Sequence, residues 1–399
     1  MSSRRDFDVL IVGGGLVGAA CAALLNQSRA TSGLTVALVE PAPVVAPASG
    51  EPLDLRVAAL SHAASALVRE VGAWPALAER RPCAYARMLV WDASAPVEGP
   101  DTLVFDAAEA DVPDLGHIAE NRAVTAALLG RAVAAGTVLL GDAVTGLELG
   151  PDLARVLCGE RRVGAGLIIA ADGADSAARG FAGLAVEASP YPQEAVVAHL
   201  HPERPHGYAA RQRFLPGGPL ALLPLEDGRV SLVWSTAPAH AALLAGLEDA
   251  AFGVAVTEAS DRVRGTLKVT GPRARFPLRR RQARRYVAER FALVGDAAHT
   301  VHPLAGQGVN QGFLDVTCLV AEIGAALGCG EDPGDARALG RYARARRAKN
   351  VVVGGVLDGL WHLFADERSL VRNARRTGLG LVNRTAPLKR FFIDRALRG

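Results

Sequence analysis

Asp8 to Val12 is a short aliphatic and β-branched run, Gly13-Gly14-Gly15 interrupts it, and Leu16 to Leu25 is rich in Ala and Leu. An apolar run of strand length, a glycine turn and a stretch of helix formers predict strand, tight turn and helix. Val9 to Leu25 is seventeen residues without a polar side chain, near the lower limit for a membrane span, but the glycines near its start favour the strand-turn-helix reading. Leu34 to Val39 predicts a second strand and the Pro- and Ala-rich 41–52 a loop. Further strands are expected at 137–140, 143–147, 155–158 and 167–170, with a helix over 123–134. From there the texture changes. Ala195 to His201, Gln212 to Leu215, Leu220 to Leu225 and Val230 to Ser235 are short strands parted by Gly, Pro and Asp turns, which predicts an antiparallel sheet. Phe291 to Val294 returns to a buried strand, and helical patterns run from about Gln307 onward.

Half of the 399 residues are apolar, which excludes a disordered chain and allows two or three folded units. The net charge of +3 conceals a polarity: residues from Gly340 on carry 14 Arg and Lys against 4 Asp and Glu, leaving −7 for the rest. In that basic tail Val351 to Phe364 is largely apolar, as in a helix that meets a membrane or partner, and Trp361, Phe364, Phe391 and Phe392 are read first as core packing. The overall charge does not favour nucleic acid. The five cysteines are scattered without a C-x-x-C, and the N-terminus shows no A-x-A cleavage site before its first apolar run. A cytoplasmic protein is therefore expected, peripheral at the inner face of the membrane if the basic tail binds lipid.

Gly13-x-Gly15-x-x-Gly18 lies between strand and helix, with Glu40 ending the next strand. Gly13 suits the turn, Gly15 the close approach of backbone to a pyrophosphate, and Gly18 helix-on-strand packing. The helix N-terminus offers N–H groups to phosphate, and Glu40 can accept from ribose hydroxyls, which favours NAD or FAD over NADP. Two more segments follow buried strands: Asp172-Gly173-Ala174-Asp175, and Gly295-Asp296-Ala297-Ala298-His299. The glycines of Pro303-Leu-Ala-Gly306-Gln-Gly308-Val309-Asn310 permit close approach to a flat ring. A helix starting there would point N–H groups at negative charge carried by such a ring.

These three segments together resemble the single-component flavin aromatic hydroxylases, the group that includes para-hydroxybenzoate hydroxylase. The run from Gly295 to Asp315 is similar to the signature of the ubiquinone-biosynthesis hydroxylases. Asp54-Leu-Arg56-Val-Ala-Ala-Leu-Ser61, Met88-Leu-Val-Trp-Asp92, His117-Ile-Ala-Glu-Asn-Arg122 and Ser231-Leu-Val-Trp-Ser235 extend the likeness over roughly residues 5 to 395. The resemblance implies an α/β fold: a Rossmann-like FAD-binding domain of segments 1–72, 107–182 and 285–330, an inserted antiparallel-sheet substrate domain of 73–106 and 183–284, and C-terminal helices over 331–399. It implies a ribityl-binding role for Asp296, and further FAD contacts at Arg56, Val144, Asp172 and the Pro303–Asn310 segment. In the wider group Arg or Gln often stands near the flavin at position 121; here Asn121 is followed by Arg122, and either is a candidate.

The implied reaction is hydroxylation of a prenylated phenol or related quinone precursor by O2 through a flavin C4a-hydroperoxide. The reductant would be NAD(P)H, bound without a second glycine fingerprint, or a separate protein. Phe214, Leu223 and Trp234 are the candidate pocket residues. A prenyl reductase or epoxidase on the same scaffold, and a non-catalytic FAD-holding subunit of a biosynthetic complex, are the alternatives. His299 and His302 lack a third metal ligand at useful spacing, and no nucleophile elbow or Walker A loop exists. The arginines between 273 and 285 are expected on a solvated strand and turn face, with an anionic surface or a reductant as the alternative partner.

Overall fold

The computed structural model describes residues 5–48, 50–97, 99–302, 306–365 and 368–398. β1 (Phe7–Val12) passes through the glycine turn into α1 (Leu16–Gln27) and β2 (Val36–Val39); β3 (Val57–Ser61), α2 (His62–Glu70) and α3 (Trp74–Ala78) follow. Next come β4 (Cys83–Tyr85), β5 (Arg87–Asp92), β6 (Leu103–Asp106), β7 (Gly116–Glu120) and α4 (Asn121–Ala134). β8 (Val138–Leu140), β9 (Val144–Glu148), β10 (Ala154–Cys158), β11 (Arg161–Ala170) and α5 (Ala177–Phe181) complete the first half. The second holds β12 (Val186–Pro202), β13 (Ala209–Leu215), β14 (Gly218–Pro224), β15 (Val230–Thr236), α6 (Pro238–Gly246), α7 (Asp249–Ala259) and β16 (Leu267–Ala283). It ends with β17 (Val287–Ala288), β18 (Phe291–Leu293), β19 (His299–Thr300), α8 (Gln307–Gly328), α9 (Ala336–Ala365), α10 (Ser369–Arg384) and α11 (Ala386–Arg398).

One sheet runs β17-β18-β11-β1-β2-β8, with β10 and β9 attached through β11. β18, β11, β1, β2 and β8 are mutually parallel. Helices α1, α4 and α8 pack nearby, so the central strands are apolar throughout rather than alternating. Parallel direction brings the C-terminal ends of β1, β11 and β18 to one edge, and each of the three glycine-bearing segments leaves from one of those ends. α8 is long and apolar enough to cross a membrane, but Phe313, Val316, Leu319 and Ile323 bury it in this core.

The second sheet runs β19-β16-β12-β15-β14-β13-β5-β6 and is antiparallel except for the parallel pair β13–β5. β12 and β16, each of seventeen residues, pair from Val186 against Ala283 to Pro202 against Leu267. Local alternation predicts a shorter β12, and β16 carries the expected arginine-bearing strand back to Leu267. Arg273, Arg275 and Arg284 pair with Asp249, Glu194 and Glu187 at 3.0–3.2 Å, as on a solvated strand face; Arg281, expected with them, is instead buried and pairs with Asp175 (2.6 Å). A third sheet, β3-β7-β4, is formed by short strands from 57–120, interleaved in sequence with β5 and β6 of the second sheet. β4, inside the 73–106 segment expected in the substrate sheet, pairs instead with β7; β19, inside 285–330, joins the substrate sheet.

Candidate active site

The glycine turn is fixed by steric necessity. Gly13 has φ +101°, and a Cβ there would lie 2.7 Å from the Ala171 carbonyl oxygen; a Cβ at Gly18 would lie 1.8 Å from the Gly13 carbonyl oxygen. Gly15 opens α1 and faces open space, leaving its backbone accessible to a ligand. Gly14, not singled out from the sequence, is as constrained: its N–H donates to Glu40 Oε2 (2.8 Å), and a Cβ would meet the Glu40 side chain at 2.9 Å. Glu40 Oε1 accepts from Ala42 N–H (3.1 Å). The carboxylate is thus held by backbone donors, and its remaining lone pairs are available to ribose hydroxyls.

The second segment is built around capping. Asp172 Oδ2 accepts from Ala178 N–H (3.0 Å), its other oxygen bonds Ser176 Oγ, and Ser176 caps α5 through Arg179 N–H (2.9 Å). Buried Arg179, absent from the sequence-level candidates, donates to the Ala174 carbonyl (3.1 Å) and to the Ala297 carbonyl (2.8 Å), tying this segment to the third.

In the third segment Gly295 has φ +58° and packs on Val17 of α1. Asp296 follows in a single 3-10 turn and opens into a cavity of about 270 Å³. Its side chain is open to that space yet walled by protein. This burial lifts its carboxyl above the ordinary range, against the opposing pull of His299, Arg56 and Arg281. Behind the turn, fully buried Asp315 accepts from Gly295 N–H (3.1 Å), His299 Nε2 (2.6 Å), Arg346 Nε (2.7 Å) and Asn350 Nδ2 (3.0 Å). Its neighbours His299 and Arg346 hold the Asp315 carboxyl below the usual carboxylate range although burial alone would raise it. Arg346 and Asn350 belong to α9, so the C-terminal segment helps to build the cofactor turn.

At the start of α8, Gly306 is left-handed (φ +63°), Gly308 faces open space, and both line the cavity with Val309. Asn310 is a tether instead of a cavity residue. Its Oδ1 accepts from Ser61 N–H (3.0 Å) and its Nδ2 donates to the Ala59 carbonyl (3.0 Å), because Gly306 brings α8 directly onto β3. Pro303 lies outside the described residues. Val144, at the start of β9, is half-buried against the main core and does not line the cavity.

Of the pair at the start of α4, Asn121 lines the cavity. Arg122 donates to the Val45 carbonyl (3.0 Å) and pairs with Glu51, clamping the 41–52 loop. Arg56 is exposed; its carbonyl accepts from Asn121 N–H (3.0 Å).

The far wall of the cavity is the second sheet. Leu223 lines it, together with Met88, Ala210, Gln212, Val233 and Ser235. Two of the three expected pocket residues do not. Trp234 projects to the opposite face of β15, into the core with Leu232 and Phe252, because strand neighbours alternate sides. Phe214 stands beyond the cavity and stacks on Phe364 of α9 (centroids 3.6 Å apart). Tyr85, Arg211 and Thr300 complete the wall without having been singled out from the sequence.

The residues present fit FAD on two counts. The turn at Gly13–Gly18 leaves a glycine backbone open at a helix N-terminus, and Asp296 offers an acceptor to hydroxyls from the cavity wall. Residues 6–352 match the FAD binding domain family. The chain is 36% identical to the ubiquinone hydroxylase UbiL of Rhodospirillum rubrum, over 99% of this chain and 90% of that one. It is 36% identical to the 3-demethoxyubiquinol 3-hydroxylase of Escherichia coli, over 99% of both, and 34% identical to the human mitochondrial ubiquinone biosynthesis monooxygenase COQ6, over 97% and 92%. The chain belongs to the FAD-dependent ubiquinone-biosynthesis hydroxylases. It is an FAD-dependent monooxygenase.

The p-nitrophenol 4-monooxygenase of Pseudomonas putida shares the fold of this family (TM-score 0.78 over 98% of both chains) at 18% identity. The anhydrotetracycline hydroxylase of Streptomyces rimosus shares it too, with TM-score 0.71, 23% identity and coverage of 98% of this chain and 75% of that one.

Proposed function

We propose that this hydroxylase inserts one oxygen atom of O2 into a ring carbon of a prenylated phenol or quinol, a precursor of ubiquinone. The observation that carries this reading is the cavity itself. It is bounded on one side by Asp296, Gly306, Gly308 and Val309 and on the other by the apolar faces of β13, β14 and β15. A flat ring held there faces the segments that would bind the flavin. Bound FAD would supply O2 activation using two electrons from NAD(P)H or a protein donor, one oxygen entering the ring and the other leaving as water.

The chain's own residues bind, orient and keep the site dry. The N–H groups at the start of α8 stabilise negative charge at the cavity edge, while Gln212 and Ser235 offer the few polar contacts that orient a ring hydroxyl. Leu223, Val233 and Met88 exclude water. No side chain is needed as a nucleophile. The curated relatives named above favour a quinone precursor over an epoxidase or reductase substrate. Mass spectrometry of the benzenoid intermediates that accumulate after deletion of the gene tests the proposal. A prenylated intermediate one ring hydroxyl short is expected; an unchanged quinone profile, or loss of oxygen at a side-chain double bond, would overturn it.

A further inference from the structure

α9 changes character along its length. Its first half exposes Arg344, Arg347 and Lys349, as a solvated helix does. Over 351–363 the exposed positions are Val351, Val352, Gly355, Val356, Gly359, Leu360, His362 and Leu363, without one ordinarily charged side chain among them. Val352, Val356, Leu360 and Leu363, spaced four, four and three residues apart, form one stripe and are 59%, 55%, 37% and 40% exposed. The opposite side of the same turns is fixed. Trp361 Nε1 donates to Gln193 Oε1 (2.8 Å), Asp358 pairs with Arg280 (2.9 Å) and bonds Tyr191, and Phe364 stacks on Phe214. The helix therefore cannot roll to bury its outer stripe, and a contiguous apolar stripe left on a fixed surface marks an interaction face.

We propose that this face of α9 docks on an anionic lipid bilayer, with Val352, Val356, Leu360 and Leu363 entering the headgroup boundary. Charge selects that occupant. The residues from Gly340 on carry a net +10 against −7 for the rest of the chain, so a second copy would bring like charge to the same face, whereas acidic headgroups complement it. Exposed Lys349, Arg347 and Arg344 lie in the turns just before the stripe. On α10, exposed Leu381 is followed one turn later by exposed Arg384. The inner side of α9 shares an apolar cluster with Met88 and Val301, which also line the active-site cavity. Docking would thus place the cavity one helix diameter from the lipid. The surface itself stands on α9 and does not depend on which substrate the enzyme takes.

The test uses the full-length FAD-loaded protein sedimented with vesicles of phosphatidylcholine alone or of phosphatidylcholine with phosphatidylglycerol. Binding at least about tenfold stronger to the anionic vesicles is expected, weakening as salt is raised. The double substitution Val356→Asp with Leu360→Asp, at exposed positions outside the catalytic site, should lower binding about tenfold or more while melting temperature, bound FAD and turnover of a short-chain, water-soluble phenol stay unchanged. Lys349→Glu with Arg347→Glu should erase the preference for anionic lipid. Equal recovery of wild type and variants with both vesicle types would overturn the proposal. So would a dimer that forms without lipid and is dissolved by the Asp pair, because the face would then be covered by a second copy.

Discussion

The two walls of the cavity are made by different means. On the flavin side the chain's shape is dictated by what cannot fit: Gly13, Gly14 and Gly18 admit no Cβ, and Gly306 is left-handed against Ala59. On the substrate side each wall residue is one of two alternating faces of a strand, and Leu223 or Val233 could be exchanged for another apolar residue without disturbing the backbone. The first kind of site is written in residue identity. The second is written in register, and α9, arriving from the far end of the chain, packs behind its Met88 and Val301.

The difference is sharpest at Gly18. Gly18→Val places a side chain on the Gly13 carbonyl and should abolish flavin retention; a purified variant with normal flavin absorbance would break the steric account of the turn. Leu223→Arg should eliminate turnover with FAD content intact, whereas Trp234→Phe, behind the sheet, should leave KM within about twofold while lowering the melting temperature. The reverse pattern would put Trp234 back in the cavity. Asp315→Ala leaves Arg346 buried without its carboxylate and should destabilise the fold by about 3–5 kcal/mol in denaturant unfolding. A loss below about 1 kcal/mol, on the order of a single neutral hydrogen bond, would show that α9 does not hold the cofactor turn.

Acid should weaken the α9 junction. Burial pushes the His302 imidazole down to about 4, while the unfolded chain titrates near its ordinary value, so the unfolded state binds the extra proton first. The stability of the neutral, buried ring is intact above about pH 6.5 and is lost as pH falls towards 4. Wild type should lose about 2 kcal/mol between pH 7 and pH 5 from this group, a slope that His302→Gln flattens; parallel pH curves for the two would remove His302 from the cause. Smallest is the contrast at the start of α4. Asn121→Ala should shift the flavin absorbance bands, and Arg122→Ala should leave them in place while loosening the 41–52 loop to protease; a band shift only in the Arg122 variant would reverse the assignment.

Much of the flavin side was legible because its demands are local. Gly13, Gly15, Gly18 and Glu40 sit within one strand-turn-helix-strand passage, and Asp296 follows directly on its strand. Where the sequence misled, the missing information was spatial. Asn310 carries the motif but bonds β3, some 250 residues away in the chain. Trp234 has the composition of a pocket residue and the wrong parity. Arg179 and Arg346 look like any other arginine in a chain rich in them, and only the packing of α5 and α9 turns them inward onto the Ala297 carbonyl and Asp315.

The order of apolar blocks and glycines by itself determined the Rossmann-like turn, the three cofactor segments and the change to an antiparallel sheet, since each rests on backbone sterics or side-chain period within a few residues. Tertiary structure alone decided which strand faces enclose the cavity, which of Asn121 and Arg122 reaches it, and how α9 locks the cofactor turn at one end and leaves an uncharged stripe at the other. Those choices depend on register and helix packing between distant segments, and no local pattern encodes them.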